Sequence, residues 1–155
     1  MTETTWLVDT NVLSNYIRRE APQEFPKLVT WVNEVLRTQA GLAISAVTLY
    51  ELRRGIKAEL LGGRAKKKAV RLELLLRSVE ILGLDAGNFA GWGIAAELWA
   101  LARQAEPGVM FSEADFLVFA TAQAHGRKLA TADRRLWERL REIGQGGGVQ
   151  LLDLA

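Results

Sequence analysis

Trp6-Leu7-Val8-Asp9-Thr10-Asn11-Val12-Leu13 is the stretch whose reading decides the fold of this chain. Three consecutive apolar residues run straight into Asp-Thr-Asn, side chains that accept backbone N–H bonds at helix starts. Val12, Leu13, Tyr16 and Ile17 then follow at helical spacing. A buried strand feeding directly into a helix is half of a βαβ unit, and the pattern recurs. Leu42-Ala43-Ile44 leads through a second helix start to Glu51, and Lys128-Leu129-Ala130, within a fourth strand from Arg127 to Thr131, leads to Asp133. Val79-Glu80-Ile81-Leu82 reads as a third strand, and Val149 to Leu152, after Gly146-Gly147-Gly148, as a fifth at the edge. Strands alternating with helices predict an α/β fold on a parallel sheet. In such a sheet the carboxyl ends of the strands share one edge, where ligands bind.

Working outward, Pro22 and Pro26 punctuate the entry to a helix that buries Leu28, Trp31, Val32 and Val35. A helix from Val47 runs through Leu52 and Ile56 toward Leu60 and stops at Gly62-Gly63, and a second, over Lys66 to Arg77, turns back on it. A long helix places Phe89, Trp92, Ala96 and Trp99 on its inward stripe and stops at Pro107-Gly108. The next starts near Ser112, buries Phe116, Leu117, Phe119 and Ala120, and ends at His125-Gly126. The last spans Asp133 to Ile143 with Leu136, Trp137 and Leu140 inward. On this reading most of the five Trp residues belong to the core.

A chain of 155 residues suits one domain, 1–155, with enough buried surface to dispense with staples. Cys is absent and His125 is the sole histidine, which excludes a thiol nucleophile, a Cys/His zinc site and chemistry that needs two histidines. Twenty Lys and Arg against 18 Asp and Glu leave a net charge of +2, too small to argue for nucleic acid without local patches. The first strand begins a few residues after Met1 with no basic-then-apolar leader, and no apolar run approaches membrane-spanning length. A cytoplasmic protein with no membrane partner is expected.

Four acids stand where apolar runs give way to helix starts: Asp9, Glu51, Asp115 and Asp133. Each has an ordinary reading. Thr48 to Glu51 and Ser112 to Asp115 have capping-box spacing, and Asp9 and Asp133 suit N-caps. Even as caps, they gather above the strand ends. Two unit charges ~4 Å apart cost about 4 kcal/mol at an effective dielectric near 20, so carboxylates brought together call for a hard divalent ion, a shared proton or basic neighbours. Asp85 reads as a cap, Glu113 as an exposed first-turn acid, Asp153 as lying on the far edge, and His125 as bonding its helix's free carbonyls. Arg53 and Arg54 follow Glu51, and Arg134 and Arg135 follow Asp133, so these basic groups flank the acidic edge where they can hold phosphates. The cluster from Arg64 to Arg71 lies farther off. Tyr50, beside Glu51, is the aromatic expected near substrate.

Taken with their order and spacing, Leu7-Val8-Asp9-Thr10-Asn11-Val12-Leu13-Ser14, Ser45 to Gly55 around Tyr50-Glu51-Leu52-Arg53-Arg54, Asp115 to Ala122, and Leu129-Ala130-Thr131-Ala132-Asp133 resemble the four signature segments of PIN-domain ribonucleases, in particular the VapC-type toxins of bacterial toxin–antitoxin pairs. The resemblance implies a three-layer α/β/α fold around a five-stranded parallel sheet. It implies Mg²⁺- or Mn²⁺-dependent endonucleolytic cleavage of RNA, with Asp9, Glu51, Asp115 and Asp133 binding metal and Asn11 and Thr131 ordering the carboxylates or bound waters. It also implies a homodimer and an antitoxin lying over the active-site groove. Oxygen-only ligands suit Mg²⁺ independently of the name, and a water so activated would attack in line and leave a 5′ phosphate. Two rivals remain. A haloacid-dehalogenase-like phosphatase would use Asp9 as nucleophile, but wants a second Asp two positions on, where Asn11 stands. A non-catalytic protein- or RNA-binding module would keep the acids merely as caps.

Overall fold

All five strands pair in parallel, in the order β3-β2-β1-β4-β5, so the first strand lies at the centre and the chain builds outward on both sides of it. The strands are β1 (Trp6–Val8), β2 (Leu42–Ser45), β3 (Val79–Leu82), β4 (Lys128–Thr131) and β5 (Val149–Leu151). The helices are α1 (Thr10–Tyr16), α2 (Ala21–Glu24), α3 (Pro26–Arg37), α4 (Ala46–Leu61), α5 (Lys66–Leu76), α6 (Ala86–Gln104), α7 (Glu113–Ala124) and α8 (Arg134–Glu142). The computed structural model describes residues 4–105 and 107–154. The chain start at Met1, from which a missing leader was read, lies outside them. Among the described residues no helix is long and apolar enough to cross a membrane.

Side-chain alternation along the strands sorts the helices into two layers. Leu7, Ala43, Leu129 and Val149 point to one face and pack with Ala95 and Leu98 of α6, Phe116 and Phe119 of α7 and Leu136 and Leu140 of α8. Val8, Leu42, Ile44 and Ala130 point to the other, against Val12 and Leu13 of α1, Leu28 and Val32 of α3, Leu52 and Ile56 of α4 and Leu72 of α5. Helices on both faces favour apolar residues in the inner strands, which explains the unbroken runs in β1 and β2, whereas the edge strands β3 and β5 carry the exposed Glu80 and Gln150. The result is the three-layer α/β/α sandwich around a five-stranded parallel sheet expected from the sequence, with β5 and β3 at its edges.

Several local expectations give way. The helix bearing Glu51 starts at Ala46, not Val47, because Ser45 Oγ accepts the Val47 N–H at 3.1 Å and takes the N-cap; Thr48, the expected cap, becomes a fully buried first-turn residue. Asp85 makes no side-chain cap bond and instead accepts from Trp92 Nε1 at 2.6 Å. His125 Nε2 reaches Gly83 O at 2.8 Å, at the end of β3, rather than its own helix's carbonyls. Gly126, at φ +63°, does take the expected C-terminal position after α7.

The largest departure concerns tryptophan. The buried stripe of α6 is Gly91, Ala95, Leu98 and Ala102, while Trp92 and Trp99 stay 49% and 44% exposed; Trp6, Trp31 and Trp137 are only partly buried. Close approach is the reason. A Cβ on Gly91 would lie 2.8 Å from the Leu84 backbone, so α6 can seat itself only with its small side inward. At 100° per residue this turns the Trp stripe outward by roughly a quarter turn. Gly87, Asn88 and Phe89 are left-handed, so Phe89 does not share the register of the residues after it.

Candidate active site

The strand order reverses between β1 and β4, and the carboxyl ends of those neighbours carry Asp9 and Thr131-Ala132-Asp133. The Asp9 N–H closes the junction by donating to Ala130 O at 2.8 Å. Crevices at such switch points are where open α/β sheets bind ligands. Asp9 caps α1, with Oδ1 accepting from Thr10 N at 2.9 Å and Oδ2 from Thr131 Oγ1 at 2.8 Å. The same Thr131 hydroxyl accepts the Asp133 N–H at 3.0 Å, so one buried oxygen ties the two acid-bearing segments together. Asp133 caps α8 through Oδ1, which takes the N–H groups of Arg135 and Leu136, leaving Oδ2 outside the cap. Asn11 Oδ1 accepts from Ala132 N at 3.3 Å, a third tie across the same gap.

The other two acids come from opposite layers. Glu51 lies in the second turn of α4; its Oε1 accepts from Thr10 Oγ1 at 2.7 Å, and that hydroxyl lies 3.0 Å from Thr48 Oγ1. Asp115 completes the expected capping box with Ser112 at the start of α7. Beneath them, Ser45 Oγ and Thr121 Oγ1 are 3.1 Å apart and bind α7 to the end of β2. Among the described residues, the buried polar side chains are Asp9, Ser45, Thr48, Thr121 and Thr131, and all five belong to this one edge. Buried polar groups are tolerated only where bonded. Their concentration here gathers four hydroxyls and one carboxyl at a single edge of an otherwise apolar core.

Electrostatics agree. Burial, with only 7% of Asp9 exposed, pushes its carboxyl from 3.8 up to about 6; the Thr131 and Thr10 hydrogen bonds oppose this, and the charges of Asp115 and Asp133 add to it. Burial likewise raises the Asp115 carboxyl, against its bonds to Ser112 and with help from Asp133 and Glu51. Asp9 therefore feels the charges of Asp115 and Asp133, and Asp115 those of Asp133 and Glu51. The four acids do not close into a cage: among the described residues no group of three acids has metal-holding spacing. The donor set is nonetheless all oxygen, and in it the ionised forms of Asp9 and Asp115 are destabilised, which is the chemistry a hard divalent cation fits.

The basic and aromatic candidates divide. Arg54 lies 3.7 Å from Glu51 and 5.2 Å from the centre of the Tyr50 ring, and all three line a recess of about 400 Å³ with Val47, Ala114 and Leu117. Arg134 lines a second recess with Ala132 and the residues after β5, and Arg135 a third with Pro107 to Met110. Arg53 instead pairs with Glu73 of α5 at 3.5 Å and is not brought to the acids. A larger cavity, about 650 Å³ between α1, α3 and α5, contains none of the four. Sequence reasoning missed Thr10 and Thr48. Their signal was a hydroxyl adjacent to one acid and another three residues before the next, legible only once α1 and α4 are known to touch.

Fold and site together define an α/β protein with an acidic crevice at its sheet's switch point. The model of the PIN domain family matches residues 6–143, and the chain belongs to that family. Solved structures similar to it include FitAcB from Neisseria gonorrhoeae, at 30% identity over 88% of this chain and 94% of that one, with a TM-score of 0.68. VapBC2 from Rickettsia felis, solved bound to a DNA fragment from its promoter, is 18% identical over 97% and 100% of the two chains at a TM-score of 0.73. VapBC-5 from Mycobacterium tuberculosis, a member of the VapBC family of toxin–antitoxin systems, is 24% identical over 96% and 98% at 0.56. No curated protein matches the sequence.

Proposed function

We propose that this chain is a single-domain, metal-dependent endoribonuclease, the VapC-type toxin of a toxin–antitoxin pair, which hydrolyses RNA phosphodiester bonds with an activated water. The observation that carries the reading is the scaffold of hydroxyls at one sheet edge, where Thr131 holds Asp9 and the Asp133 segment and Thr10 holds Glu51, since a core does not concentrate its polar side chains at one edge without a use for it. Asp9, Glu51, Asp115 and Asp133 would hold Mg²⁺ or Mn²⁺. Held there, such an ion would supply Lewis-acid polarisation of a phosphate and would lower the pKa of a water.

The remaining work belongs to the chain's own residues. Thr10 N and Thr131 Oγ1 fix both oxygens of Asp9, Thr131 also holds the Asp133 segment, and Asn11 secures the turn between β4 and α8. Thr10 Oγ1 orients Glu51. Tyr50 and Arg54 supply a stacking face and a cation beside Glu51, and Arg134 and Arg135 supply cations beside Asp133, to position the RNA backbone. Arg53, held by Glu73, has the weakest claim among these contacts. RNA preference then arises from shape and single-strandedness, because water and not the 2′ hydroxyl is the nucleophile.

Similarity to VapBC-5, a member of a toxin–antitoxin family, supports a cognate antitoxin, which we assign to the groove above the acids. We also assign a homodimer and a cytoplasmic location. RNA-end sequencing after brief expression tests the nuclease reading. The native chain is expected to generate one distinct set of new 5′-phosphate ends, and Asp9→Asn none; identical ends from both would overturn the assignment.

A further inference from the structure

We infer that Ser45 and Thr121 are positioning residues that act through Asp115 to set how tightly the acids bind a divalent cation. The inference rests on the metal reading proposed above. Both side chains are buried, Ser45 at the end of β2 and Thr121 in the third turn of α7. Their hydroxyl protons have one arrangement. Thr121 Oγ1 donates to Leu117 O at 2.7 Å, which commits its proton, so across the 3.1 Å gap between the two hydroxyls Ser45 is the donor and Thr121 the acceptor. Ser45 Oγ in turn accepts the Val47 N–H at 3.1 Å. A single directed relay, from Val47 N–H through Ser45 and Thr121 to Leu117 O, therefore joins the first turn of α4 to the backbone of α7.

The ends of this relay lie close to two of the acids in sequence, Val47 four positions before Glu51 and Leu117 two positions after Asp115. The other three acids are already tied together. Asp9 and the Asp133 segment share Thr131, and Glu51 is held by Thr10, the residue after Asp9. Asp115 bonds to Ser112 at the start of its own helix, which shapes the carboxyl without placing it against the rest. Among the described residues the Ser45–Thr121 bond is the only side-chain hydrogen bond between α7 and the segment of β2 and α4 that carries Glu51.

Stability alone does not call for two hydroxyls at this point. An apolar pair of the same shape fills such a space without burying polar atoms, at little or no cost in stability. Apolar attraction is non-directional, however, whereas a hydrogen bond fixes both distance and angle. What the polar pair adds is the register of α7 against β2, and Asp115, six positions before Thr121 on the same helix, takes its place from that register. A small hard cation demands near-ideal ligand geometry, so displacements that packing tolerates are ones the acids would not.

Calorimetric titration of the full chain with Mn²⁺ tests the inference, with circular dichroism to establish that each variant is folded at the titration temperature. Thr121→Val keeps the side-chain outline but leaves the Ser45 hydroxyl without its acceptor, and should weaken Mn²⁺ binding about 10-fold. Ser45→Ala breaks the same bond from the other side and should also weaken it. Thr121→Ser loses a methyl group from the core yet keeps the hydroxyl, so it should melt at a lower temperature and bind Mn²⁺ as the native chain does. In an Asp115→Asn background Thr121→Val should cost nothing further, because the residue it positions no longer contributes a charge. Native affinity in Thr121→Val, an equal loss in Thr121→Ser, or an undiminished loss with Asp115→Asn already present would each overturn the inference and leave the metal reading standing. A native chain that takes up no Mn²⁺ would overturn both.

Discussion

Replacing Asp9 by Asn should abolish cleavage and, without added metal, stabilise the protein at neutral pH. In the folded chain burial holds the Asp9 carboxyl at about 6 against an ordinary 3.8. The folded state therefore binds this proton more tightly than the unfolded state, and its contribution is fully present below pH 3.8 and lost as pH rises through about 6. That interval corresponds to about 3 kcal/mol. Asparagine carries no charge to desolvate, so it escapes the loss, but its amide group must face the Thr131 hydroxyl in place of a carboxylate oxygen, a poorer bond worth about 1 kcal/mol. The net expectation is that Asp9→Asn is about 1 kcal/mol less stable than the native chain below pH 3.8 and about 2 kcal/mol more stable at pH 7, the latter worth about 4–8 °C at a domain of this size. Thermal or urea unfolding of both proteins across that range, in chelator, measures the difference. Saturating Mg²⁺ should then shrink it at pH 7 by stabilising the native chain selectively. A mutant-minus-native difference that stays constant from pH 4 to pH 7 would refute the argument, because it would mean that Asp9 ionises without hindrance.

Thr131→Val keeps the side-chain volume but removes the donor to Asp9 and the acceptor for Asp133 N–H; it should cost about 1.5–3 kcal/mol, with urea titrations showing the larger penalty at pH 8, where Asp9 is ionised, than at pH 5. Thr10→Val frees Glu51 and should weaken Mn²⁺ binding by calorimetry roughly 10-fold to 100-fold with little change in melting temperature, while Thr10→Ser retains the affinity. Gly91→Ala should destabilise the fold by about 1–3 kcal/mol, since the atoms it meets are Leu84 backbone and cannot swing aside; chemical denaturation checks it.

Much of the architecture was legible because it depends on local order. Apolar runs such as Leu42-Ala43-Ile44 are apolar throughout only where both sheet faces are covered, and the acids at helix starts follow from capping, a property of a few consecutive residues. The chain itself therefore determined the strands, their parallel sense, the edge position of β5 and the capping acids Asp9 and Asp133 that follow β1 and β4. Tertiary structure alone decided what depends on one element meeting another. The periodicity of α6 allows either side to face inward, and only the approach of Gly91 to Leu84 turns Trp92 and Trp99 to the outside. The sequence shows Thr10, Thr48 and Thr131 as ordinary hydroxyls. They become a scaffold because β1 lies beside β4 and α1 beside α4, which joins residues 38 to 122 positions apart through bonds that no local pattern encodes.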